Sequence, residues 1–275
     1  ELYSYSEYNS YYWFSQVTFT TITLQRNNFV ARLTLNRPET LNAINGVMLE
    51  EIRAALSEIA GDDSIRVVVI DSATARAFSA GIDVAYVKDL DAWGARRIGQ
   101  ELHATFGMIR VLEKPVIAQI DGLCLGAGLE LAISCDLLIA SDRSQFGLPN
   151  IKRGIPAIVE AAILPQAIGI VNTRELAFTG RNWDAAKAER RGLVNAVVPA
   201  AELAAEVNRW AQELAAFSPR ALAAQKDIIH KWMTSDLETA IDFSINTVGL
   251  NWTTRDQREG MESFLQKRAA KFTGE

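Results

Sequence analysis

Apolar positions along this chain switch between two periods, and the switches mark out its elements. Phe19, Ile22 and Leu24, then Val30, Leu33 and Leu35, predict two short strands around Asn27-Asn28, a pair suited to a tight hairpin turn. Met48, Ile52, Ala55 and Ile59 return at helical spacing, and Gly61 stops that helix. Val67-Val68-Val69-Ile70 is apolar throughout, as a strand covered on both faces requires. Ile98, Leu102, Thr105, Phe106, Ile109 and Leu112 predict a long helix. It leads through Lys114-Pro115 into a β-branched run that ends at Gly122. Leu137-Leu138-Ile139-Ala140 reads as another strand, and Phe146-Gly147-Leu148-Pro149-Asn150 as a loop. Pro156 reads as the first-turn proline of a helix over Ile158, Ala162 and Ile163. Gly180 and Gly192 punctuate two short helices, and Leu193 to Val198 reads as a last strand.

From Pro199 onward the pattern is helical only. Ser218-Pro219 pairs a capping residue with a first-turn proline, and Thr254-Arg255-Asp256-Gln257 fits a capping box. The chain thus divides into an α/β core over 18–199 and a helical C-terminal lobe over 200–275 that packs on the core of its own or a neighbouring subunit. Residues 1–17 stand apart, because five of the six tyrosines fall among them. They lack the basic start and apolar centre of a secretory signal and read as a tail outside the fold.

Twice, an apolar run leaves through small residues and glycine toward a helix. One instance is Ala77-Phe78-Ser79-Ala80-Gly81-Ile82-Asp83-Val84; the other is Leu125-Gly126-Ala127-Gly128-Leu129-Glu130, where Leu129, Ile133 and Leu137 predict a helix from near Ala127. The start of a helix exposes unpaired backbone N–H groups that can hold an anion or a developing oxyanion. Two such loops can bring two N–H groups onto one oxygen, which is what stabilising an enolate or tetrahedral oxyanion requires. Glu130, one turn inside the second helix, is either a favourable charge at a helix start or an acid/base group.

Composition narrows the alternatives. A chain of 275 residues with 49% hydrophobic content can bury a full core. A net charge of -5 without any basic stripe argues against a nucleic-acid surface, and no apolar run approaches the length of a membrane span. Cys124 and Cys135 lie in apolar surroundings, which fits free thiols in a reducing, cytoplasmic setting. His103 and His230 are far apart and signal no metal site. Gly126-Ala127-Gly128 begins like a dinucleotide fingerprint, but Leu131 occupies the third glycine position and Asn150 the place of the ribose-binding carboxylate. Ser79 or Cys124 as a nucleophile would need a histidine base, and neither histidine sits in a glycine loop.

The combined motifs resemble the enoyl-CoA hydratase/isomerase (crotonase) superfamily. They are Leu35-Asn36-Arg37-Pro38 with Leu41-Asn42-Ala43, Ala77 to Asp83, Lys114 to Ala118, Gly126 to Leu131, Cys135-Asp136, Gln145-Phe146-Gly147 and Arg258-Glu259-Gly260-Met261, in family order. The resemblance implies a spiral of ββα units with a C-terminal helical lobe, assembly as a trimer or dimer of trimers, and an acyl-CoA substrate with no cofactor beyond its coenzyme A. It places the oxyanion hole at the N–H groups of Ile82 and Ala127. It places the coenzyme A cradle at Thr40, Leu41 and Ala43, at Ser79, Ala80, Gly81, Ile82, Asp83 and Val84, and at Gly126 and Ala127, with Lys267 as a candidate phosphate contact. Glu130 matches the first of two catalytic glutamates. Asn150 stands at the second, and an amide does not exchange protons as a carboxylate does. Glu160 lies where many members carry glycines and is a further catalytic candidate. Hydration of a 2-enoyl-CoA leads. Hydrolysis, decarboxylation, carbon–carbon cleavage, isomerisation and non-catalytic acyl-CoA binding stay open.

Overall fold

The Asn27-Asn28 pair turns the chain as its composition requires: β1 (Ile22–Asn27) runs antiparallel to β2 (Val30–Leu35), and Asn28 takes a left-handed φ of 51°. The computed structural model describes residues 19–275, so the stretch assigned to a tail lies outside the described residues. After the hairpin, α1 (Gly46–Ala60) starts where the Asn45 side chain accepts from the Met48 N–H. Three similar turns of chain follow. The first is β3 (Val67–Ser72), β4 (Ala77–Ser79), α2 (Val84–Val87) and α3 (Ala92–Val111). The second is β5 (Val116–Ile120), β6 (Leu123–Leu125) and α4 (Ala127–Ile133), and the third is β7 (Leu137–Ser141), β8 (Gln145–Gly147) and α5 (Leu164–Thr179). β9 (Trp183–Asp184), α6 (Ala185–Arg190) and β10 (Ala196–Val198) complete the α/β part.

Each turn gives its first strand to one sheet and its second strand to another. The larger sheet has the order β1-β2-β3-β5-β7-β10 and the smaller the order β4-β6-β8-β9. Strands β4, β6 and β8 are parallel, with Ser79 opposite Cys124 and Leu125 opposite Gly147. Their C-terminal ends therefore lie together, and the loops that leave them are delivered to one place. Burial on both faces of β3 explains its unbroken apolar run: Val68 and Ile70 join the main core, while Val67 and Val69 join a second cluster under α7 (Leu203–Ala215).

Three expectations change. The run from Val116 does not pass directly into the glycine loop; Gly122 turns the chain into β6, a strand of the other sheet. Phe146-Gly147 is not loop but part of β8, short enough that only pairing with β6 and β9 makes it a strand. No helix starts at Pro156. A 3₁₀ turn spans Val159–Ile163, and α5 begins at Leu164, with Pro165 in its first turn and a break at Gly169.

The C-terminal helices α8 (Pro219–Thr234), α9 (Leu237–Asn251) and α10 (Arg255–Leu265) carry the expected caps: the Ser218 side chain accepts from the Ala221 N–H and Thr254 from the Gln257 N–H. Lys226 on α8 reaches the core, donating to the carbonyls of Ile109 and Lys114 and, at 2.7 Å, to Asp136. Yet α8 buries none of its residues within the chain and α9 buries only Ala240.

Candidate active site

The loops leaving β4 and β6 meet backbone to backbone. At φ 103° Gly81 holds a conformation that disfavours a side chain, and a Cβ there would lie 2.9 Å from the Leu125 carbonyl and 3.5 Å from the Ala127 nitrogen. Gly128 is equally constrained: a Cβ on it would sit 2.6 Å from the backbone oxygen of Ser79, so α4 closes onto β4 only with glycine there. The N–H groups of Ile82 and Ala127 beside this junction have no hydrogen-bond partner among the described residues, whereas those of Ala80 and Asp83 donate to Leu41 and Ile44. α4 has only seven residues, so what it offers is the individual N–H of Ala127 rather than the accumulated dipole of a long helix.

The segment 40–44 is bound to the same loop. Besides the Ala80 and Asp83 bonds, the Ile44 N–H donates to Gly81, and Leu41 and Asn42 both take left-handed φ. Asn42, fully buried, accepts from the Arg37 N–H and donates to Ser72 and Phe78, which locks the segment in place. Asp83 caps α2 and pairs with Arg37 at 3.1 Å. Ser79 departs from its expected place in the cradle. Its side chain is buried, donating to the Asn42 carbonyl and accepting from the Gly81 N–H, so it braces the loop instead of facing a ligand. The same burial removes Ser79 as a nucleophile, and the Cys124 thiol is pushed up by burial as well.

Glu130 is 2% exposed, and its Oε1 has no hydrogen-bond partner. Burial, then the nearby charge of Glu160, raises its carboxyl from 4.5 to about 8, against the pull of the N–H groups of Ile158, Glu160 and Ala161. Asn150, in a 3₁₀ turn over Pro149–Arg153, places Oδ1 3.2 Å from where a Cβ on Gly126 would be. Its amide makes no side-chain hydrogen bond to another described residue. Glu160 is buried and held by two residues of α3: His103 Nδ1 at 2.7 Å from one oxygen and Arg110 Nη1 at 2.5 Å from the other. Sequence reasoning left these partners out, although their seven-residue separation puts both on one face of a helix. Lys267 lies beyond α10 in a left-handed conformation and makes no hydrogen bond or ion pair to the 40–44 or 79–84 segments.

The family model for enoyl-CoA hydratase/isomerase matches residues 25–275. The chain belongs to the enoyl-CoA hydratase/isomerase family. Among relatives, a Mycobacterium bovis protein named probable enoyl-CoA hydratase is 38% identical over 94% of this chain and 99% of its own. A crotonyl-CoA hydratase of Syntrophomonas wolfei is 35% identical over 93% and 99%. The crystal structure of enoyl-CoA hydratase from Bacillus anthracis superposes with a TM-score of 0.89 at 30% identity, covering 93% of this chain and all of that one. The crotonase spiral with its helical C-terminal region is therefore the fold. Among the described residues of this family member, no helix is long and apolar enough to cross a membrane, and no group of acidic, histidine and cysteine residues is gathered to hold a metal.

Proposed function

We propose that this protein adds water to the double bond of a 2-enoyl-CoA thioester. One observation carries the reading: Glu130, a buried carboxyl whose Oε1 has no partner among the described residues, lies in the helix that opens at Ala127, whose N–H, like that of Ile82, is also without a partner among them. Ionised Glu130 takes a proton from water as the water oxygen bonds to C3. The π electrons move onto the thioester oxygen, where the two N–H groups hold the enolate. Glu130 then returns the same proton to C2, so water has been added and the carboxylate restored. Asn150 positions water or the acyl group by hydrogen bonding. Thr40 to Ala43 and Ala80 to Val84, with Gly126, cradle the coenzyme A. The names of the crotonyl-CoA and short-chain-enoyl-CoA hydratases among the relatives support this substrate class.

The reading extends to assembly and setting. The lobe helices that bury almost nothing in one chain cover one another in a homo-oligomer, a trimer or dimer of trimers as in the family. Cys124 and Cys135, buried and unpaired, suit the cytoplasm.

Loss of the conjugated thioester's ultraviolet absorbance on mixing with crotonyl-CoA tests the reaction. Glu130→Gln is expected to lower turnover about 10²- to 10⁴-fold, and Asn150→Ala to lower it less. Asn150→Glu, which adds a second proton carrier, is expected to raise the rate. Because the carboxylate is the form that accepts the proton, kcat/KM rises with pH toward about 8 and then levels. Release of free coenzyme A without addition of water would replace hydration with thioester hydrolysis.

A further inference from the structure

We infer that Arg110 and His103 are positioning residues: they clamp the two oxygens of Glu160, hold that carboxylate beside Glu130, and so govern the proton that Glu130 exchanges with substrate. The inference rests on the acid/base role proposed for Glu130. It gives Glu160 the part of a fixed charge rather than that of a second proton carrier, because both its oxygens are engaged.

Three features of the geometry point the same way. Glu160 is 4% exposed, and its two contacts come from one face of α3, His103 Nδ1 at 2.7 Å and Arg110 Nη1 at 2.5 Å. The Arg110 contact is ionic and not a well-aligned hydrogen bond, as suits an electrostatic hold. Val159, immediately before Glu160, has φ 27°, a region that a β-branched residue enters only under constraint from its surroundings. The 3₁₀ turn that carries it is packed by α3, α4 and α5 together, and the constraint directs Glu160 inward. Finally, Glu130 keeps one buried oxygen, Oε1, without a hydrogen-bond partner among the described residues.

The surroundings supply few other charges. The 3₁₀ turn contributes Glu160, the charge that acts on Glu130, and α3 contributes His103 and Arg110, which face Glu160; the Cys124 thiol of β6 is directed at the Gly128 carbonyl, and β4 carries no ionisable side chain. On its far side Arg110 lines a groove with Lys226, Asp227 and His230 of α8 and with Glu113 and Arg220. A single carboxyl that must both accept and return one proton works best when its midpoint lies near the working pH. The negative neighbour acts in that direction by opposing ionisation of Glu130.

The test is the titration midpoint of Glu130, read without substrate by ¹³C NMR of protein labelled at the glutamate carboxyl and assigned through Glu130→Gln. The pH profile of kcat/KM on crotonyl-CoA is recorded alongside. Glu160→Gln is expected to lower the midpoint by about one pH unit. Arg110→Met is expected to raise it by leaving Glu160 without its cation, and Arg110→Lys to keep it near the parent value. His103→Leu, at an exposed position where folding is undisturbed, shifts it in the direction of Arg110→Met by less. A midpoint that stays put in Glu160→Gln and His103→Leu overturns the inference, as does a uniform loss of kcat/KM with no shift in its pH profile. Shifted midpoints in a protein that leaves crotonyl-CoA untouched would uphold the clamp and refute the hydratase reading.

Discussion

Glu130 sets a measurable condition on stability. Its carboxyl is raised from 4.5 to about 8 by burial and by Glu160, so between those values the folded chain keeps a proton that the unfolded chain releases. Stability therefore falls as pH rises through that window and levels above it. Glu130→Gln removes the titration: its melting temperature is expected to pull ahead of the parent's progressively from pH 5 to 8, as followed by calorimetry. A constant gap across that range would mean that Glu130 titrates as an ordinary surface carboxylate. At this scale the sequence singles out Glu130 and is silent about the partners of Glu160. Glu130 follows a run of glycines that announces itself. The partners of Glu160 lie 57 and 50 residues before it in the chain, and only folding brings α3 against the 3₁₀ turn. Ser79 shows the converse, a residue at the end of β4 whose buried hydroxyl is taken up by the Asn42 carbonyl and the Gly81 N–H.

Among elements, the tightest joint is that of α4 with β4. Gly128→Ala would put a methyl group 2.6 Å from the Ser79 backbone and push the helix away, moving the Ala127 N–H and the Glu130 carboxyl together. Overpacking of this kind typically costs about 1–3 kcal/mol. The variant is expected to lose at least about tenfold in kcat, since one displaced oxyanion donor alone is worth about 10²-fold or more. Steady-state kinetics with a denaturation curve reads both effects, and unchanged kcat would dissociate the joint from the chemistry. Long helices with one clear period, α1 and α3, and the unbroken apolar run of β3 were legible before folding. The smaller sheet was not, because strands of two or three residues have no period of their own and exist through pairing with distant neighbours. The segment from Pro156 misled for a related reason: proline and alanine there favour a helix start, but packing by three helices imposes a constrained 3₁₀ turn.

For the molecule as a whole, the α/β part and α7 share buried clusters, whereas α8 and α9 bury almost nothing within the chain. Leu237, Ile245 and Leu250 on α9 are 71%, 62% and 72% exposed in the single chain, the apolar surface on which the proposed assembly rests. Ile245→Glu, which would bury an unpaired charge on assembly, is expected to yield smaller species by light scattering while the core keeps its melting transition. An unchanged mass would show that this face is not where subunits meet. Lys226 then takes on a second meaning. It ties α8 to the core at Asp136 and two carbonyls, and in the proposed assembly the rest of the helix pair would be covered by neighbouring subunits. Amide hydrogen exchange would consequently depend on dilution in one part of the chain only: deuterium should enter α8 and α9 sooner as protein concentration falls, while β3 and β5 take it up at the same slow rate throughout.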